Sequence, residues 1–85
     1  MSASDPTEQH LILLGQAIRH TREERGVSVD ALALASGLHR RRLQALEAGH
    51  LDPTYDQLLA LADALGVQPS ALVLRAEALS ASPEP

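Results

Sequence analysis

The chain has no cysteine, no phenylalanine, no tryptophan and a single tyrosine. Without cysteine there is no disulfide and no thiolate zinc site, which is compatible with a reducing compartment. With so few aromatics the core must be built from Leu, Ala, Ile and Val. Ala and Leu are strong helix formers, whereas strands favour branched and aromatic residues, so the composition predicts an all-α fold. Lysine is missing too, so each of the 7 fixed cations is an arginine. Apolar runs such as Leu11-Ile12-Leu13-Leu14 are far too short to span a membrane or to serve as the core of a signal peptide. There is no glycine-rich phosphate loop and no HExxH. His10, His20, His39 and His50 are scattered, with no pair at helical spacing. Asp52 and Asp56 can share a helix start, where acids act as helix stabilisers. No catalytic set, metal site, cofactor or small-molecule ligand is expected, and the chain reads as a non-enzyme.

What is present is 85 residues, enough for one domain with a small core, of which 45% are hydrophobic. The formal net charge of −4 opposes bulk nucleic-acid binding. Its distribution matters more than its sum. In residues 1–50, Arg19, Arg22, Arg25, Arg40, Arg41 and Arg42 balance Asp5, Glu8, Glu23, Glu24, Asp30 and Glu47. In residues 51–85, Arg75 stands alone against Asp52, Asp56, Asp63, Glu77 and Glu84. The excess acid therefore lies apart from the arginine cluster.

Five helices are predicted. Asp5-Pro6-Thr7-Glu8 can cap the first, with Pro6 at its first position and Leu11, Leu14 and Ile18 as its stripe. Gly26 suits its end. Ser28 can cap a second, short helix ending near Ser36-Gly37, and a third runs from about His39 to Ala48, closed by Gly49. Thr54 with Gln57 forms a capping box for a fourth, whose stripe is Leu58, Leu61, Ala62 and Leu65, ending at Gly66. Pro69 opens a fifth with Leu72, Ala76 and Leu79 on one face. The expected division is an N-terminal extension (1–5), a domain (6–79) and a disordered tail (80–85).

The second and third helices meet at Ser36-Gly37-Leu38, where glycine permits a tight or left-handed turn. Leu32, Leu38, Leu43 and Leu46 can fill the inner corner. The spacing Ala33, Gly37, Leu43, Leu46 is that of a helix-turn-helix. The match extends further, through Leu14-Gly15-Gln16-Ala17-Ile18-Arg19, Arg22, Gly26, Leu32-Ala33, Ser36-Gly37 and Leu46-Glu47-Ala48-Gly49. Pro53 and the run from Leu58 to Val67 complete it. Over roughly residues 11–74 the chain resembles the phage repressor and Cro (XRE) family. The resemblance implies a five-helix lambda-repressor-like domain with a helix-turn-helix formed by helices 2 and 3. It also implies sequence-specific binding of double-stranded DNA with helix 3 in the major groove, transcription regulation, and a cytoplasmic location. In the family the positions of Arg40, Arg41, Gln44 and Ala45 are the usual base readers, and those of Arg22 and Glu47 form an internal ion pair.

Helical geometry gives an independent reading of helix 3. With Leu43 at 0° and about 100° per residue, Leu46 falls near 300°, so the buried direction is near 330° and the outward one near 150°. Arg41 then lies near 160°, Ala48 near 140°, Gln44 near 100° and Ala45 near 200°, with Arg40 and Arg42 flanking at about 60° and 260°. Glu47, near 40°, faces the core margin. Arg40-Arg41-Arg42 is in isolation an ordinary solvated run, but three cations at a helix start oppose the macrodipole and point to an anionic ligand. Ser28 and Val29 at the start of helix 2, and His39 and His50 bracketing helix 3, complete the expected DNA-contacting set. Val29 stands where the family often has a Gln that braces a phosphate, and Asp52 would repel one, so nonspecific affinity should be weak. The alternative is a protein-interaction adaptor or antitoxin-like module on the same fold, favoured by the acidic second half. Finally, Ile12 and Leu13 on helix 1, and Val73 and Leu74 on helix 5, point away from their core stripes and are expected to form a homodimer interface.

Overall fold

The computed structural model describes residues 6–80, with side chains from Glu8 onward. It contains α1 (Pro6–Glu24), α2 (Val29–Ser36), α3 (Arg40–Glu47), α4 (Tyr55–Leu65) and α5 (Pro69–Ser80), with no strand among the described residues. The fold is all-α with α2 and α3 forming the helix-turn-helix. The Asp5 cap, the 1–5 extension and the tail beyond Ser80 lie outside the described residues. α5 runs through Ser80, so a domain boundary after residue 79 falls one residue short of that helix's end.

Local chemistry accounts for most helix ends. The Ser28 hydroxyl accepts a hydrogen bond from the Ala31 N–H at 3.0 Å, starting α2. Gly37 closes it with φ 76°, a conformation costly for any residue with a Cβ, and the Leu38 N–H then donates to the Ala33 carbonyl at 3.0 Å. At the start of α4 the capping is reciprocal. The Gln57 N–H donates to Thr54 Oγ1 at 3.1 Å, and the Thr54 N–H donates to Gln57 Oε1 at 3.0 Å. α3 lacks these devices: His39 precedes it without a side-chain cap, and no acid occupies its first turn. α4 and α5 are bent by 96° at their short break. No single described helix is long and apolar enough to cross a membrane.

The core is aliphatic, as the composition requires. Ile18, Leu32, Leu43, Leu46, Leu61 and Leu72 are fully buried, with Ala17, Ala33 and Ala62 as the small residues between them. Leu14, Leu38, Leu58 and Val67 are half-buried against this cluster. α1 packs along α5, where the Arg75 guanidinium donates to Glu24 at 2.7 Å and to Thr21 Oγ1 at 3.4 Å, while the Thr21 hydroxyl donates to the Ala17 carbonyl. The hydrogen bond from Arg75 holds the Glu24 carboxyl below the usual range.

α1 and α3 approach each other closely at Gly15. A Cβ at Gly15 would stand 2.4 Å from the Leu46 carbonyl oxygen and 2.6 Å from that of Glu47. Both are backbone atoms and cannot swing aside. A mid-helix glycine costs about 1 kcal/mol relative to alanine, and here that cost secures contact of the two helices. Gly15→Ala should therefore destabilise the domain despite its better helix propensity, by about 2 kcal/mol or more from overpacking and about 10 °C in Tm. Thermal denaturation followed by circular dichroism checks this, and an unchanged or raised Tm would show that α1 and α3 are not in such contact.

Candidate nucleic-acid interface

α3 is an eight-residue helix with two distinct faces. Leu43 and Leu46 are fully buried beneath it, and on the other side Arg41, Gln44 and Ala48 are exposed. Arg40 is exposed at its first turn. Ala45 is half-buried, less open than its wheel angle indicates, and Arg42 is half-buried at the opposite flank. Among the described side chains, Arg42 Nε is the one buried nitrogen or oxygen without a hydrogen-bond partner.

What fixes this orientation is Glu47, buried at the end of α3 with 8% of its surface exposed. Arg22 of α1 donates to it twice, from Nε to Oε2 at 2.7 Å and from Nη2 to Oε1 at 3.0 Å, and from Nη1 to the Val27 carbonyl at 3.0 Å. One guanidinium thus joins α1, the α1–α2 turn and α3. The hydrogen bond to Glu47 raises the Arg22 pKa further, against the opposing effect of burial.

The remaining residues singled out in the sequence are distributed around this frame. Ser28 is exposed, its hydroxyl engaged in the cap. Val29 is half-buried against the core and lines the outer cleft. His39 and His50 are exposed at the two ends of α3, and the His50 N–H donates to the Ala45 carbonyl at 2.9 Å. An open cleft of about 320 Å³ is lined by Arg19, Arg22, Val29, Gln44, Glu47 and Ala48, with Glu23 at its edge. Arg19 was not singled out in the sequence. The signal was there: it precedes Arg22 by three residues and so shares its side of α1. Arg19 is loosely paired with Glu23 at 3.6 Å, and Arg40 with Asp30 of α2 at 3.2 Å.

The four residues expected at an interface occupy different surroundings. Leu13 is half-buried rather than exposed, because α5 packs beside it. With Val73 it lines a groove of about 340 Å³ between α1 and α5, together with His10, Leu14, Ala76 and Glu77. Ile12 and Leu74 lie outside that groove. Ile12 is 41% exposed and abuts Gly49, and Leu74 is 62% exposed. Leu34 and Tyr55, not singled out in the sequence, are the most exposed large apolar side chains at 86% and 72%.

The comparisons agree with the fold. The helix-turn-helix family profile matches residues 18–72. The chain is similar to the restriction-modification controller protein C.AhdI from Aeromonas hydrophila, at 35% identity over 73% of this chain and 94% of that one, with a TM-score of 0.72. It is also similar to the clp gene regulator ClgR from Corynebacterium glutamicum, at 29% identity over 85% and 77% of the two chains, TM-score 0.83. A third similar structure is the hypothetical transcription factor NHTF from Neisseria, at 31% identity over 96% and 97%, TM-score 0.74. Among curated proteins no sequence match was found. The chain belongs to the helix-turn-helix family of the repressor and Cro type, whose members are DNA-binding transcription regulators.

Truncating Glu47 would strand the Arg22 guanidinium where only 11% of its side chain is exposed. Glu47→Ala should cost about 3 kcal/mol, lowering Tm by about 10 °C or more. Glu47→Gln, which keeps one acceptor, should cost less. A melt of Glu47→Ala within a degree or two of wild type would contradict a structural role for the pair.

Proposed function

We propose that the protein is a cytoplasmic transcription regulator that binds a specific double-stranded DNA site as a homodimer, with α3 of each copy in the major groove. The observation that carries this reading is the division of α3. Its Leu43 and Leu46 side is locked into the core, and the opposite side offers Arg41 and Gln44 beside small Ala45 and Ala48, which allow close approach. The Arg41 guanidinium matches guanine O6 and N7, and the Gln44 amide matches adenine N6 and N7. Ser28, His39 and His50 stand at helix ends, where they would meet phosphates of a duplex docked on α3, with Arg40 and Arg42 flanking. Few cations outside α3 face this side, so nonspecific binding is weak and its salt dependence shallow.

Arg41→Ala tests the reading directly. Arg41 is exposed and pairs with no acid among the described residues, so the fold is retained while one bidentate base contact, worth about 1–3 kcal/mol, is lost. Fluorescence anisotropy on the best site from a random-duplex selection should show weakening of about tenfold or more. Affinity equal to wild type would remove α3 as the reading element.

Dimerisation is supported by the exposed apolar side chains Ile12, Val73 and Leu74 and by the small target of a single reading helix, which twofold symmetry doubles. Sedimentation equilibrium at micromolar protein should give twice the 9.1 kDa chain mass. A single species of monomer mass would leave these side chains as plain surface.

A further inference from the structure

Among the described residues one ion pair joins the two helices of the helix-turn-helix: Asp30 Oδ1 lies 3.2 Å from Arg40 Nε. Asp30 sits in the first turn of α2, where a carboxylate is also favoured by the helix dipole. That local role alone would not account for the side chain of Arg40, the first residue of α3, reaching across to it. Arg40 has no acid within its own first turn to turn to. Both side chains are largely exposed, at 60% for Arg40 and 70% for Asp30, so the pair contributes little to stability. Its geometry bears on something else. The contact uses Nε and leaves the terminal Nη1 and Nη2 edge open, and two parallel donors of that kind take guanine O6 and N7 together. An unheld arginine loses much rotamer freedom on making such a contact, and a side chain already held loses less.

We propose that Asp30 is a positioning residue that sets the Arg40 guanidinium for one base pair and thereby adds selectivity at that position. The inference rests on α3 being the DNA-reading helix. It has a signature that a merely repulsive acid lacks. A carboxylate at the DNA face lowers affinity for every duplex alike through phosphate repulsion, whereas a positioning carboxylate raises discrimination at the one base pair that Arg40 reads.

The experiment uses the full chain and a best duplex obtained by selection from a random pool. Arg40→Ala, measured against duplexes changed one base pair at a time, locates the position that Arg40 discriminates. Asp30→Asn should then lose discrimination at that position by about fivefold or more while keeping it at the position read by Arg41. Its affinity for random duplex should be equal or higher, and its Tm lower by no more than about 5 °C, the loss of one carboxylate from the first turn of α2. Asp30→Glu should restore part of the loss, and Asp30→Asn added to Arg40→Ala should remove no further discrimination. The proposal is overturned if Asp30→Asn shifts affinity for matched and changed duplexes equally, if the loss persists in the Arg40→Ala background, or if Arg40→Ala loses discrimination nowhere. Failure of the wild type to select any sequence would instead overturn the DNA-reading assignment of α3 itself.

Discussion

The Glu47 carboxylate takes two hydrogen bonds from the Arg22 guanidinium in a place from which water is largely excluded, and the geometry of α3 depends on that junction. A helix of eight residues is too short to persist alone, and α3 has neither a capping side chain nor an acid in its first turn. It is held mainly from one side. Leu43 and Leu46 enter the core, Gly15 lets α1 rest against its last carbonyls, and Arg22 fixes its final residue while also binding the Val27 carbonyl. The buried restraints on α3 are therefore on the face turned inward, and on the exposed side the one ion pair among the described residues is that of Arg40 with Asp30 of α2. Removing one partner of the ion pair costs more than the pair itself adds, because the other charge would stay behind unpaired. Its role is to set position rather than to supply net stability.

Charge follows the same division. The chain is acidic as a whole, yet Arg40 and Arg41 project from the outer face of α3 and Arg19 lines the cleft beside Gln44. Glu23 and Asp30 are each paired with a specific arginine, Arg19 and Arg40. In the proposed DNA-reading role, such a distribution would give little general attraction to phosphate and place the weight on directed contacts.

Much of this was legible in the sequence, for a physical reason. Ser28, Gly37, the Thr54–Gln57 box and Gly66 act on backbone within a few residues of themselves, so helix ends can be read from local spacing. The faces of α3 follow from the angular step of a helix once Leu43 and Leu46 are taken as buried, and Glu47 lands where that step puts it. What escaped the sequence depends on distances between elements. The need for glycine at position 15 is visible only when the Leu46 and Glu47 carbonyls are placed opposite it. Arg19 gains its setting from α2 and α3, and Asp30 meets Arg40 only through the turn between their helices. On α5, Leu72, Val73 and Leu74 are consecutive, and periodicity alone does not say that Val73 borders a groove with Leu13 while Leu74 faces outward.

The central claim is that the outward face of α3 reads base edges in the major groove. Guanine methylation interference on a duplex selected from a random pool tests it most directly, since guanine N7 lies in that groove. The account predicts strong interference at guanine N7 in two blocks centred about one helical turn apart. A selection that enriches no sequence, or interference confined to adenine N3 in the minor groove, would contradict it.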